Sequence, residues 1–320
     1  MRRIFLLLVF FAAFPSAANA QSFPAKPIRI VCPFPPGGGV DITARAIALE
    51  LAKSLGQPVT VENRPGAGGN IAAAEVAKAA PDGHSLFLTL SSIHAISPLV
   101  YAKLAYDPLR DFSFITPLVA FDAVLVVNPA APAKSVAELV ARAKQEAGKL
   151  SFASSGNGTN THLMGELFKT MAGIDIVHVP YKGSAPALID LLGGSVTMMF
   201  DTIPSAITQV RSGKLRALGV TGAKRSALFP EVPTIAESGL PGYEASAWYG
   251  LVAPAATARE IILKLNSEAV KGANAKEFRD RMEPLGFEVV TGSPERMSEM
   301  IRSDTARWAP VVKASGARAD

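Results

Sequence analysis

The chain has 320 residues, of which 49% are hydrophobic and 18% are charged. It is long enough to bury a sizeable core, and its length suggests two lobes rather than one. The formal net charge is +5, and this mild excess, without a run of lysines or arginines, does not indicate a nucleic-acid-binding protein. The single cysteine, Cys32, excludes an intrachain disulfide and is predicted to be a buried strand residue.

The first twenty residues have the pattern of a cleavable secretory signal peptide. Arg2 and Arg3 form a basic start, residues 4–14 are a short apolar run, and residues 18–20 (Ala-Asn-Ala) form a small-x-small cleavage site. The apolar run is too short to span a bilayer. We therefore expect a periplasmic protein that is cleaved after Ala20. The mature chain would contain 30 basic and 27 acidic residues.

Short apolar runs alternate with segments of helical periodicity, which is typical of an α/β fold. Strands are predicted at 28–32, 59–63, 85–92, 123–128, 196–201, 215–221, 247–254 and 287–290. Helices are predicted at 40–55, 135–147, 204–212, 258–273 and 275–283, from Pro294 onward, and after each glycine loop.

The order of these elements predicts two lobes joined by a hinge. The C-terminal helices are expected to pack back on the first lobe, so the chain would cross between lobes near 119–124 and near 244–248. Lobe 1 would contain residues 21–122 and 246–320, and lobe 2 residues 123–245. Two such crossings predict a ligand cleft between the lobes.

The stretch CPFPPGGGVD, residues 32–41, follows the first strand and precedes a long helix. Its glycines predict either a backbone cradle for an anion or a tight turn that needs glycine for geometry alone. Its spacing matches neither a P-loop nor a dinucleotide fingerprint. Asp41 would repel a bound anion if its side chain pointed into the cleft.

Two further loops have the same strand–glycine–helix pattern. RPGAGGN (64–70) allows the same two interpretations as residues 32–41. In SSGNGTNTH (154–162), hydroxyl and amide groups lie beside the glycines on Ser154, Ser155, Thr159, Asn160 and Thr161. One such side chain would suffice as a helix N-cap, so the excess favours a binding loop.

Two more positions are candidates for contact with a ligand. YKGSAP (181–186) offers a phenol, an ammonium and a hydroxyl at a helix start, although Ser184 could instead be an N-cap and Lys182 simply solvated. Asp201 ends an apolar strand, where α/β proteins bind ligands. The alternative is a capping contact to the next helix.

The sequence offers little support for catalysis or metal binding. HExxH, GxSxG and CxxC motifs are missing from the sequence, and its four histidines lack ligand spacing. We therefore expect no metal, no cofactor and no catalytic residue. An exported hydrolase that pairs Ser155 or Ser184 with His162 remains an alternative.

Taken in order, these segments resemble the extracytoplasmic solute-binding proteins of tripartite tricarboxylate transporters, the Bug or TctC family. The resemblance rests on KPIRIVCPFPPGGGVD, VENRPGAGGNIAAAEVAKAAPDGH, YDPLRDFSFITPL, SFASSGNGTNTHLMGELF, VPYKGSAPALIDLLGGSVTMMFD and GKLRALGVTGAKRSALFPEVPTIAESGLPGY. It implies a type II, Venus-flytrap fold of the periplasmic-binding-protein kind. It also implies capture of a small carboxylate and delivery to membrane permease subunits.

The resemblance also implies which residues contact the ligand. They are Phe34, Pro35, Gly37, Gly38, Gly69, Asn70, Ser91, Ser92, Ala95, Ser154, Ser155, Gly156, Gly158, Thr159, Lys182, Gly183, Ser184 and Asp201. The chain departs from the family pattern at His84 and Ser97. We expect a monomer whose partners are the carboxylate and the permease, with a ligand-sensing role at a membrane receptor as the alternative on the same fold.

Overall fold

The computed structural model describes residues 23–319, so the predicted signal peptide and its cleavage site lie outside the described residues. The strands are β1 (Ile28–Cys32), β2 (Val59–Asn63), β3 (Ser85–Leu90), β4 (Phe112–Val127), β5 (Ser151–Ser154), β6 (Val177–Pro180), β7 (Met198–Thr202), β8 (Arg216–Val220), β9 (Ser246–Pro254) and β10 (Glu288–Val289). The helices are α1 (Gly39–Leu55), α2 (Asn70–Ala77), α3 (Ser91–Ala95), α4 (Ser97–Val100), α5 (Val136–Gln145), α6 (Asn160–Ala172), α7 (Ser184–Leu192), α8 (Ile203–Arg211), α9 (Arg259–Asn274), α10 (Lys276–Met282) and α11 (Pro294–Ser315).

One long strand, β4, joins two groups of strands. Its first part pairs antiparallel with β9 as far as Asp122, which lies opposite Ser246. From Ala123 onward it pairs instead with β7 and β8, also antiparallel. The lobe boundaries at 122/123 and 245/246 stay a prediction, and the change of partners falls at that point of the strand.

Each group of strands contains a parallel core. In the first group β1 lies between β2 and β3 and is parallel to both, and the sheet continues through β9 to β4. In the second group β5 lies between β6 and β7 and is parallel to both. Because parallel strands end at one edge of a sheet, the loops after β1 and β3 cluster in one group and those after β5, β6 and β7 in the other.

Two predicted strands have different limits in the structure. The strand predicted at 85–92 ends at Leu90, because Ser91 begins helix α3. The strand predicted at 123–128 is the second part of the 16-residue β4. The β-branched and aromatic residues of 112–122 favour a strand and form the first part of β4, which was not predicted from the sequence.

Most helix ends follow the local signals in the sequence. Gly56 adopts the left-handed conformation that closes α1 (φ 67°). The hydroxyls of Ser135 and Ser293 accept hydrogen bonds from the amides of Glu138 and Arg296, as N-caps do. The predictions for these three residues are confirmed.

Apolar side chains fill both faces of the sheet in the second strand group. The larger buried cluster runs from Ile28 in β1 through Phe152 in β5, and a smaller one packs Val124 and Met199 against α7 and α8. Cys32 is fully buried, as predicted. In the part of the chain that the structure describes, helices with the length and apolarity of a membrane span are not found.

The C-terminal helices contact both strand groups. α9 packs against α1 and β4, whereas α11 packs against β4, α3 and also α6 of the second group.

The two tryptophans are packing residues, with Trp308 1% and Trp248 4% exposed. The Trp248 indole on β9 donates a 2.7 Å hydrogen bond to the Asp304 carboxylate on α11. Burial raises the pKa of Asp304, and this hydrogen bond opposes that shift.

We predict that Trp248→Phe lowers the free energy of unfolding by about 1–3 kcal/mol beyond the loss of ring volume, because Asp304 then loses its buried donor. Urea unfolding followed by circular dichroism measures this effect. Asp304→Asn and the double variant complete a double-mutant cycle. Strict additivity of the two single changes would show that the hydrogen bond does not stabilise the fold.

Candidate ligand-binding cleft

A cleft lies where strands of both groups end. Thirteen described residues line it, and none of them carries a formal charge: Phe34, Pro35, Gly38, Gly39, Val40, Leu90, Ser155, Gly183, Ser184, Ala185, Thr202, Ser205 and Tyr249. Its cavity volume is about 40 Å³, whereas about 10–15 Å³ holds one water. The cleft is therefore narrow, with room for a few water molecules.

Three helix N-termini converge on this cleft. Gly38, Gly183 and Thr202 are the N-cap positions of α1, α7 and α8, and none of the three provides a side-chain cap. The first amides of a helix have no partner within the helix. Together with the helix dipoles, they form a positive potential that favours an anion.

Asp41 does not place its charge in the cleft. Its carboxylate accepts hydrogen bonds from Arg45 (2.9 Å), from Asn63 (2.9 Å) and from the amide of Gly37 (3.1 Å). Burial raises the pKa of Asp41, but these three donors together lower it below its usual value. The Gly37 amide is thus hydrogen-bonded within the loop, and Gly37 is not among the residues that line the cleft, whereas Gly38 is.

Glycine is required on the opposite side of the cleft. Gly183 has φ +117°, a conformation that side chains rarely adopt, and a Cβ there would lie 3.3 Å from Pro35 Cδ across the cleft. At Gly38 a Cβ would meet no atom within 4 Å. The two lobes therefore approach each other closely at Gly183, and Gly38 borders open space.

The loop after β5 contributes one residue, Ser155, to the cleft. The Ser154 hydroxyl is buried and lies 2.7 Å from His178 Nε2, and Thr159 caps α6 by accepting from the His162 amide. The rings of His162 and His178 stack with centroids 3.9 Å apart. These contacts hold the loop in place, so Ser154 and Thr159 serve to stabilise the loop.

An adjoining groove contains several predicted residues. It has a volume of about 230 Å³ and shares Phe34 and Ser155 with the cleft. Gly156 and Lys182 line this groove, and a Cβ on Gly158 would lie 2.9 Å from Val100.

Other predicted residues of the first strand group are not among those that line the cleft, namely Gly69, Asn70, Ser91, Ser92 and Ala95. Asn70 donates to the Ala67 carbonyl and accepts from the Tyr106 hydroxyl. The Ser91 hydroxyl exchanges hydrogen bonds with Asn160 of α6, which links the two strand groups. Gly69, Ser92 and Ala95 are also buried. Outside the cleft lining, His84 packs its ring against Phe23.

Ser184 and Asp201 form a pair at the wall of the cleft. Ser184 is the first residue of α7, and the N-cap position, which was the alternative role for Ser184, belongs to Gly183. The Ser184 hydroxyl donates a 2.6 Å hydrogen bond to Asp201 Oδ1. Asp201 is fully buried behind Ser184 and does not itself line the cleft.

Several residues of the cleft lining were not predicted from the sequence. Thr202 and Ser205 lie at the start of α8, one and four residues after Asp201. Hydroxyl residues so close to the end of a predicted strand are a signal that could have identified them. Leu90 and Tyr249 lie within predicted strands and also line the cleft. Their position depends on the pairing of β3 with β9, which the local sequence does not reveal.

The structure does not assemble the proposed hydrolase pair. Ser155 Oγ lies 2.9 Å from Thr161 Oγ1, and Ser184 is engaged with Asp201. His162 Nδ1 accepts from the Gly158 amide. Within residues 23–319, groups of three or more histidine, cysteine or acidic residues that could hold a metal ion are also not found.

Comparison with known proteins identifies the family of this chain. Residues 43–317 match the tripartite tricarboxylate transporter family receptor, TctC. The protein BugT of Bordetella pertussis is 38% identical over 308 residues, covering 96% of this chain and 94% of BugT. A UPF0065 protein of the tcbD–tcbE intergenic region of Pseudomonas sp. strain P51 is 39% identical over 315 residues, covering 97% and 94%.

Solved structures share the fold. Rpa4515 of R. palustris with adipate is 38% identical with a TM-score of 0.90, covering 92% of this chain and 99% of that chain. MatC (Rpa3494) of Rhodopseudomonas palustris with bound malate is 35% identical with a TM-score of 0.87, covering 91% and 100%. These likenesses confirm the predicted α/β, two-lobe periplasmic-binding-protein fold. The chain therefore belongs to the tripartite tricarboxylate transporter receptor family, TctC, a family of solute-binding receptors.

Proposed function

We propose that the protein captures a small carboxylate in the cleft between its two lobes and delivers it to a tripartite tricarboxylate transporter. The observation that carries this proposal is the convergence of the N-termini of α1, α7 and α8 on a cleft whose thirteen described lining residues are all uncharged. Backbone donors and helix dipoles attract an anion. The apolar residues Phe34, Val40 and Leu90 suit the carbon skeleton of an organic acid.

The available donors suffice for useful affinity without an arginine. A hydrogen bond to a charged group contributes about 1.5–3 kcal/mol, and a helix N-terminus adds about 0.3–2 kcal/mol. Three or four such contacts, less the costs of association, reach the roughly −8 kcal/mol of a micromolar complex. Two structures of the same fold contain adipate and malate, which supports a carboxylate as the ligand class.

Ligand entry requires the lobes to separate. A cavity of about 40 Å³ is too small for a dicarboxylate. The Ser91–Asn160 hydrogen bonds and the approach of Gly183 to Pro35 join the two sides. We propose a hinge at residues 122/123 and 245/246, where β4 changes partners, with closure around the ligand.

The cellular role follows from the same proposal. We infer a monomeric periplasmic protein that binds the permease subunits of its transporter, with the ligand-binding residues predicted from the family as its site. The protein acts as a receptor rather than an enzyme. Signalling to a membrane receptor is the second role that this fold allows, and a permease pair or a sensor kinase encoded beside the gene separates the two roles.

A screen for stabilisation by carboxylates tests the proposal. We expect adipate, malate or an aromatic acid such as benzoate to raise the melting temperature of ligand-stripped protein. A ligand present at a hundredfold excess over Kd stabilises by about 2.7 kcal/mol. Adipamide, which has the same skeleton without charge, is the matched control and should give no shift. A flat response to every carboxylate would refute the proposal.

We predict that Gly38→Val weakens carboxylate binding at least about tenfold while the ligand-free protein loses about 1 kcal/mol or less of stability. Gly38 has φ −84° and ψ 169°, which valine adopts readily, and its Cβ would point into open space. Titration calorimetry and urea unfolding measure the two effects.

Gly193→Val is the matched control for this variant. Gly193 is exposed at the end of α7, has φ −77°, and its Cβ would make only ordinary contacts. This change should leave binding intact. Equal losses of binding and stability in Gly38→Val would show that the loop is only a structural turn.

A further inference from the structure

Asp201 is a buried carboxylate with an incomplete set of partners. Its side chain is 0% exposed. Oδ1 accepts hydrogen bonds from the Ser184 hydroxyl at 2.6 Å and from the Thr202 amide at 2.8 Å. Oδ2 is buried and has no hydrogen-bond partner among residues 23–319. An ionised carboxylate in this position leaves one oxygen without a donor, which is costly in a protein interior.

The groups around Asp201 supply little compensating charge. On β4 its neighbour across the strand is the apolar Val124. α7 presents the Ser184 hydroxyl, and the start of α8 presents the Thr202 amide. From β9 the titratable neighbour is the Tyr249 hydroxyl, whose pKa is raised well above its usual value, first by burial and then by Asp201 and Cys32. Burial raises the pKa of Asp201 to about 7, although Ser184 and Thr202 oppose the shift.

The protonation state of Asp201 decides what Ser184 offers to the cleft. When Asp201 is ionised, Ser184 donates its only hydroxyl proton to Oδ1 and presents just its lone pairs to a ligand. When Oδ1 carries a proton, that proton is donated to Ser184 Oγ. The Ser184 hydroxyl hydrogen is then free to turn toward the cleft, which Ser184 lines.

A carboxylate in the cleft favours the second arrangement for two reasons. Its negative charge lies near Asp201 and favours the neutral form of that side chain. It also needs donors, and a neutral Asp201 converts Ser184 from an acceptor into a donor. Ligand binding and protonation therefore promote each other, and by linkage the coupling is reciprocal.

We propose that the protein takes up one proton with each carboxylate it binds, that Asp201 holds this proton, and that Ser184 turns its hydroxyl toward the ligand in response. Asp201 and Ser184 thus act as a positioning pair for the anion. The proton comes from solvent: Ser184 Oγ accepts it from water in the open cleft while its own proton passes to Asp201 Oδ1. This inference rests on the proposed carboxylate-binding function and adds its pH dependence.

The sign of the pH dependence follows from the linkage. Below the pKa of Asp201 in the empty protein, the free and bound forms both carry the proton and affinity is constant. Above it, the free form has lost the proton that the complex retains, so affinity falls by up to about tenfold per pH unit. Between about pH 7 and pH 9 simple carboxylic acids are already ionised, so the ligand itself contributes no proton change.

Calorimetry with adipate tests the proposal. Titrations at about pH 8 in phosphate and in Tris, which have different ionisation enthalpies, report the number of protons taken up. We expect close to one proton for the wild type and an affinity that falls more than about tenfold between about pH 7 and pH 9. Asp201→Asn keeps an acceptor for Thr202 and Ser184 but has no group that titrates. It should therefore bind adipate without proton uptake and with a flat pH profile.

Two further variants make the test specific. Asp304→Asn removes another carboxylate with a raised pKa, away from the cleft, and should retain full proton uptake. Ser184→Ala should take up less than half a proton, because the hydroxyl that links Asp201 to the cleft is missing. Full uptake in Ser184→Ala would overturn the role of the hydroxyl.

A ligand-free measurement separates this inference from the proposed function. Infrared spectra of the wild type should lose protonated-carboxyl absorption between about pH 6 and pH 8. Burial raises the pKa of Asp122 to about 6, so Asp122 contributes in both proteins, and Asp201→Asn should lack the part of the loss that comes from Asp201. Adipate binding without proton uptake would overturn the inference and leave the proposed function intact. If no carboxylate binds, the proposed function fails, and an infrared titration without the Asp201 band overturns the inference independently.

Discussion

Strand β4 is the element on which the rest of the structure depends. Its first part is hydrogen-bonded to β9 and β10, and its second part to β7 and β8. Because one continuous strand belongs to both strand groups, β4 links the two groups directly. The switch between Asp122 and Ala123 is also where β9 begins at Ser246. β4 thus passes from one strand group to the other at the level where the chain enters β9.

The cleft follows from this arrangement together with the parallel strands. In each group the parallel strands end toward the other group, and helices begin just after them. Three helix starts without side-chain caps then lie around one small space. A site made of backbone dipoles holds a carboxylate group without choosing among carboxylates. Selectivity must therefore come from the shape of the apolar lining and from hydroxyls such as those of Ser155, Ser184 and Ser205.

Local sequence signals predicted the elements of the fold and part of the site. Glycines after strand patterns identified the loops that carry Gly38 and Gly183, and the positive φ of Gly183 explains the glycine there. The same signals could not show that Gly37 donates to Asp41 or that Ser91 begins a helix. In each case a backbone group can bond to more than one partner, and the local sequence does not decide which. Tyr249 and Leu90 reach the cleft through strand pairing across a long stretch of chain, and local patterns contain no information on that pairing.

The interpretation of Asp201 shows why residue type alone is insufficient. An aspartate at the end of a strand beside a helix start is expected either to contact the ligand or to cap the helix, and both roles assume that its charge is used directly. The structure instead covers the carboxylate with Ser184, and one oxygen has no hydrogen-bond partner among residues 23–319. In that environment the carboxylate competes with a bound anion for the same few donors at the starts of α7 and α8. A neutral aspartic acid removes this competition, so a group that is unfavourable in the empty cleft becomes compatible with a filled one.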